Sequence, residues 1–215
     1  MMTSSGLTRR NLLAGAAFAA AARPALLGGE PVRKTNWPGW PVMDQTEERS
    51  ILAVLKSGKW GRGSGKTVDR FEQLYANLCQ SKHCLSTSSG TTALITVMGA
   101  LGLRPEDEVI IPPYTFIATV NAVEMYGAKP VFVDSDLDTF QIDASKIEAA
   151  ITPRTKAIMP VHLGGASVDL DAILKVAQKH KLPVVEDACQ AHLGQWNNRQ
   201  VGSYGLAGCF SFQAS

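Results

Sequence analysis

Four short strings in this 215-residue chain carry side chains that chemistry can use. The first is Ser88-Ser89-Gly90-Thr91-Thr92. Hydroxyls, a glycine and a fresh helix start offer side-chain donors, free backbone N–H groups and a favourable dipole, a set that suits a phosphate. The same string also serves as an ordinary Ser/Thr helix cap. The second, Pro112-Pro113-Tyr114-Thr115-Phe116, presents aromatics after two stiff prolines. Phe116 has the shape to stack on a flat ring, or simply to fill a core. The third is Glu186-Asp187-Ala188-Cys189-Gln190. An acid leaving a buried strand can bond a cationic ring nitrogen or cap a helix. The fourth is Phe210-Ser211-Phe212, where strand alternation sends the serine hydroxyl to the opposite face from the two rings.

These strings need elements to hold them. Asp44 with Glu47 three residues on predicts a capped helix that carries Ile51, Leu52 and Leu55 and stops at Ser57-Gly58. A second helix is predicted over 68–78, with Phe71, Leu74, Tyr75 and Leu78 on one face. Short apolar runs then alternate with amphipathic segments. Strands are expected at 84–86, 109–111, 131–133, 157–161, 183–185 and 209–212, and helices from Thr91, over 117–126, over 147–151 and over 170–180. That rhythm predicts an α/β fold, a mostly parallel sheet flanked by helices in three αβα layers. In such a sheet ligands bind beyond the carboxyl ends of the strands, where the first three strings fall, while the fourth lies in the last strand.

Two decoys are set aside. Gly61 to Thr67 looks like a nucleotide-binding P-loop, but position 60 is Trp60 where that motif needs glycine, and the segment follows a helix. It reads as a flexible helix–helix connection. Cys79, His83 and Cys84 lie close together, yet their spacing is not that of a zinc ligand pair, so no metal site is assigned. With Cys189 and Cys209 they make four cysteines, too sparse for a disulfide scaffold.

A phosphate cradle, a stacking aromatic and an acid for a ring nitrogen on one sheet edge describe a pyridoxal phosphate pocket. The chain here resembles the DegT/StrS-type sugar aminotransferases, of the fold-type I class of pyridoxal phosphate enzymes. The resemblance is carried by SSGTTAL at 88–94, IPPYTFIATVNAV at 111–123, GAKPVFVD at 127–134, ITPRTKAIMPVHLGG at 151–165, VVEDACQAHLG at 184–194 and GCFSFQAS at 208–215. It implies pyridoxal 5'-phosphate as cofactor. Gly90 and Thr91, with Ser89 beside them, would hold its phosphate, and Ser211 would close that site. Phe116 would stack on the ring, Asp187 would pair with the ring nitrogen, and Gln190 would lie near the ring hydroxyl. His162 falls in the sugar-facing region of the family and takes no firm role. Asp187 is thereby the expected catalytic residue, because a carboxylate there keeps the ring nitrogen protonated and the ring able to accept electrons.

The implied reaction is amino transfer from glutamate or glutamine to a keto-sugar or keto-cyclitol, often nucleotide-linked, by a homodimer. The family's lysine, which binds the cofactor covalently, stands five residues beyond the serine matched by Ser211, at position 216. Residues 30–215 are therefore expected to be the N-terminal part of the cofactor-binding large domain, inactive alone. A histidine in place of that lysine would make the protein a sugar dehydratase of the same family. A non-catalytic cofactor- or sugar-binding protein is the remaining alternative. An exported periplasmic binding protein would also be α/β, but gives no account of the strings at the strand ends.

Residues 1–29 read as an address. Arg9 and Arg10 precede an apolar, alanine-rich stretch at 12–22, a pattern that resembles a twin-arginine export signal. Arg9, Arg10 and Arg23 account for the formal net charge of +2, so the body is close to neutral. A neutral body carries no electrostatic footprint for nucleic acid, and no apolar run is long enough for stable membrane insertion.

Overall fold

The computed structural model describes residues 23–36, 39 and 41–213. The arginine pair of the leader and its whole apolar stretch lie outside the described residues. The chain divides into two units, 1–42 and 43–215. In the first, the described residues hold one 3-10 turn, Ala25–Leu27, and an exposed Lys34–Glu30 ion pair at 2.7 Å.

The second unit carries the elements that build the site. Its helices are α1 (Gln45–Ser57), α2 (Thr67–Leu78), α3 (Gly90–Ala100), α4 (Ile117–Glu124), the single turn α5 (Ala144–Ile147) and α6 (Leu170–His180). Its strands are β1 (Glu108–Ile111), β2 (Lys129–Phe132), β3 (Thr155–Ile158), β4 (Val185–Asp187), the short hairpin β5 (Gln195–Trp196) with β6 (Arg199–Gln200), and β7 (Ala207–Cys209). β1 lies between β2 and β3, parallel to both, and β4 pairs in parallel with β7. Parallel bridges Ile158–Val184 and Val161–Asp187 join the two groups, so the parallel order runs β2-β1-β3-β4-β7.

The core follows from strand alternation. Val109 and Ile111 point to one face and pack with Leu94 and Met98 of α3 and Ala118, Ala122 and Val123 of α4. Ile110, between them, points to the other face and packs with Ile158, Ile147, Leu170, Ile173 and Ala177. Both faces of β1 are fully buried, which is why its sequence is an unbroken apolar run rather than an alternating one. The expected αβα layering is what the structure has.

α1 begins as its sequence requires. The Thr46 N–H donates to Asp44 Oδ1 at 2.6 Å, the Asp44 N–H donates to Glu47 Oε2 at 2.9 Å, and Gly58 ends the helix at φ 64°. α6 spans the residues expected, with Asp169 at its cap and Leu170, Ile173 and Ala177 inward.

Several expectations are corrected. The predicted apolar faces of α1 and α2 are largely open: Ile51, Leu55, Leu74 and Leu78 are exposed, and α2 instead buries Glu72 and Ala76. Residues 84–86 form no ladder, because the Ser86 N–H donates to Glu72 Oε1 at 2.6 Å rather than to a strand. The same carboxylate holds Arg62 in a two-pronged ion pair, so the segment 61–67 is pinned rather than flexible. β3 stops at Ile158, two residues before Pro160, which has no N–H for a ladder. Glu186 and Asp187 lie inside β4 rather than after it, and Ser211 lies beyond the end of β7.

Candidate active site

The site is assembled at the carboxyl ends of β4 and β7, against the starts of α3 and α4. Gly90 opens α3 and is buried. A Cβ placed on it would stand 2.7 Å from Ser211 Cβ and 2.8 Å from Cys189 Sγ. Nothing larger than glycine fits there without displacing one of them. The predicted phosphate residues Gly90 and Ser211 are therefore in contact, although 121 positions separate them in the chain. Ser89 caps α3, its Oγ accepting the Thr92 N–H at 3.1 Å while the Ser89 N–H donates to Thr92 Oγ1 at 2.9 Å. That leaves the N–H groups of Gly90 and Thr91 at the helix start as donors for an anion.

Asp187 is buried at the end of β4. Its backbone lies in the sheet: the Asp187 N–H donates to Pro160 O, and the His162 N–H donates to Asp187 O, each at 2.9 Å. Its Oδ1 accepts the Cys189 N–H at 3.2 Å, and its Oδ2 accepts the Thr119 hydroxyl at 2.7 Å. Phe116 caps the start of α4 and is 59% exposed, so its ring is not spent on the core and remains open for a ligand. Gln190 is exposed, and its Oε1 accepts the Gly164 N–H at 2.7 Å. The side-chain amide N–H groups of Gln190 are left as donors.

The neighbouring acid has a different task. Glu186 is fully buried, and strand alternation turns it away from Asp187. Its carboxylate accepts the N–H groups of Gly202, Tyr204 and Gly205 at 2.6, 2.7 and 2.7 Å. It also accepts His162 Nε2 at 3.1 Å. Burial works to raise this carboxyl, but the bond from His162 and those from Gly205 and Gly202 outweigh it and hold it below the usual carboxylate range. His162 is fully buried, with the Val168 N–H donating to its Nδ1 at 3.3 Å. It is a structural histidine and faces no ligand space, contrary to the region expected for it.

Sequence reasoning missed four contributors. Thr119 binds Asp187 from α4, and Thr115 Oγ1 lies 2.8 Å from Thr119 Oγ1. Their four-residue spacing sets the two hydroxyls near each other, but nothing in the sequence ties either one to Asp187. His192 spans the Tyr75 hydroxyl and the Ser211 carbonyl, with Nδ1 at 2.7 Å and Nε2 at 2.6 Å, and so fixes the segment that carries Ser211. Cys189 Sγ stands against Gly90 at the start of α3. Burial, then the nearby Asp187, pushes its thiol up, and burial pushes Cys209 up to about 12. Neither is a thiolate nucleophile near neutral pH.

The parallel sheet and its flanking helices are those of a fold-type I aminotransferase domain. The chain belongs to the DegT/DnrJ/EryC1/StrS aminotransferase family, whose family model matches residues 41–215. It is 40% identical over 196 residues to an L-glutamine:2-deoxy-scyllo-inosose aminotransferase of Micromonospora echinospora, covering 89% of this chain and 47% of that protein. Over 172 residues it is 45% identical to a GDP-perosamine synthase of Caulobacter vibrioides, covering 80% and 46% of the two. The solved structure of 3-amino-5-hydroxybenzoic acid synthase superposes with a TM-score of 0.81 at 38% identity, over 83% of this chain and 46% of that one. The chain thus spans about half the length of the curated relatives it matches. Similar structures include a Streptococcus pneumoniae protein solved in its PLP form.

Proposed function

We propose that this chain is the cofactor-binding part of a pyridoxal phosphate-dependent aminotransferase that aminates a keto-sugar or keto-cyclitol, with glutamine or glutamate as donor. The observation that carries the reading is the contact of Gly90 with Ser211 and Cys189 beside a buried, doubly held Asp187. In it, Gly90, Thr91 and Ser89 receive the phosphate at the α3 start, and Ser211 closes the cradle. Phe116 lies over the ring, and Gln190 offers its amide to the ring hydroxyl. Asp187 accepts the proton-bearing ring nitrogen and keeps it charged. When bound, pyridoxal phosphate supplies the electron sink for bond breaking at the amine-bearing carbon.

The test has two arms. Pyridoxal 5'-phosphate titrated into the full chain should bind, and Asp187→Ala should weaken that binding. In the complete protein, glutamine and 2-deoxy-scyllo-inosose should give the aminated cyclitol, and Asp187→Ala should abolish turnover. Near-normal turnover by that variant would refute the role of Asp187. Release of water from a deoxysugar substrate without amino transfer would favour the dehydratase instead.

The reading extends to assembly and address. The complete protein is a homodimer, which sedimentation at micromolar concentration would check. Arg9 and Arg10 support export through the twin-arginine route. A tagged full-length protein that keeps its N-terminus and stays in the bacterial cytosol would overturn that.

A further inference from the structure

We infer that Thr119 is a positioning residue for the ring nitrogen of the cofactor, acting through Asp187; this rests on the cofactor reading above. Thr119 is completely buried in the first turn of α4. A threonine inside a helix ordinarily returns its hydroxyl to the carbonyl four residues back, as Thr96 does to Thr92 O at 2.7 Å in α3. Thr119 does not. Its hydroxyl crosses to another element and donates to Asp187 Oδ2 at 2.7 Å.

The direction of that bond is fixed. A carboxylate only accepts, so the single hydroxyl hydrogen of Thr119 is spent on Asp187. The Thr115 hydroxyl, 2.8 Å away, must then donate to Thr119. The result is a one-way chain, Thr115 to Thr119 to Asp187.

The chain matters because an aspartate carboxyl turns easily about its last torsion. Two bonds stop it turning here, Thr119 on Oδ2 and the Cys189 N–H on Oδ1. Each oxygen keeps lone pairs for one further partner, and their aim is set. Thr119 is also held stiff by its own branching. It stands one turn beyond Phe116, whose carbonyl accepts the Thr119 N–H at 3.1 Å. One helix start therefore supplies both the stacking ring and the residue that aims the acid.

The test measures affinity for two ligands of the same shape: pyridoxamine 5'-phosphate and its 1-deaza analogue, which has carbon in place of the ring nitrogen. Both are titrated calorimetrically into the full chain and into Thr119→Val and Thr119→Ser. Loss of a hydrogen bond to a charged group predicts that Thr119→Val weakens pyridoxamine 5'-phosphate about tenfold or more. Its affinity for the deaza analogue should change by no more than about twofold, because no nitrogen is there to be aimed at. Thr119→Ser keeps the hydroxyl and should restore most of the loss. Equal affinity of Thr119→Val and wild type overturns the inference. So does an equal loss for both ligands, which would mark Thr119 as structural support only. If the wild-type chain binds neither ligand, the cofactor reading fails and takes this inference with it.

Discussion

Gly90 stands where a methyl group has no room. Its neighbours are Ser211 and Cys189, so Gly90→Ala must push the end of β7 or the turn after β4 away from α3. Overpacking of this kind costs about 1–3 kcal/mol. We expect that loss in urea unfolding, together with weaker binding of pyridoxal phosphate. An alanine variant with unchanged stability and affinity would show that the cradle does not depend on this contact. Glu186 makes the opposite case, a side chain whose bonds all go to parts of the fold. Its carboxyl lies below its ordinary value in the fold. The stability it adds is therefore fully present above the unfolded value of about 4.3 and is lost as pH falls through the folded value. Glu186→Gln removes that titration. The stability gap between wild type and variant should be widest near pH 7 and should shrink below about pH 4. A gap that stays constant from pH 7 to pH 3.5 would deny Glu186 this role.

At the level of elements, β1 shows how far pattern alone reaches. Its unbroken apolar run predicts a strand buried on both faces, and Ile110 is fully buried against α6 while its neighbours face α3 and α4. Ile110→Ala should cost about 2–5 kcal/mol in chemical denaturation. Ile51→Ala on α1, where the side chain is 61% exposed, should stay within about 0.5 kcal/mol. If Ile51→Ala costs as much, the α1 face is covered after all. The helix α6 was legible to its ends because its cap, its apolar spacing and its basic last turn agree. Residues 84–86 read as a strand by composition, yet a strand also needs an edge to pair with, and Glu72 takes the N–H instead. The site was legible in the same partial way. Gly90, Ser211 and Asp187 could be named because the family resemblance runs through the short strings that hold them. Thr119 could not, since its partner lies 68 residues away and only packing of α4 against β4 brings them together.

For the molecule as a whole, site and core share one framework. The parallel order β2-β1-β3-β4-β7 sets the starts of α3 and α4 at the same sheet edge as the ends of β4 and β7. A ligand that bridges those elements binds the folded chain and not the unfolded one. Pyridoxal phosphate at a hundred times its dissociation constant should therefore raise unfolding stability by about 2.7 kcal/mol. The midpoint of thermal unfolding, measured with and without ligand, checks this, and Asp187→Ala should reduce the gain. No shift at saturating ligand would mean that these elements are not bridged. Glu186 and Asp187 give this framework a further property. They are adjacent, yet β4 hands one carboxyl to its rear face and the next to its front. The front can be altered to suit a different ligand without touching the anchor behind it. A one-residue slip of the strand, by contrast, would turn both carboxyls to the opposite faces at once and leave the three N–H groups around Glu186 without it. The strand is thus tolerant of changed chemistry and intolerant of changed alignment.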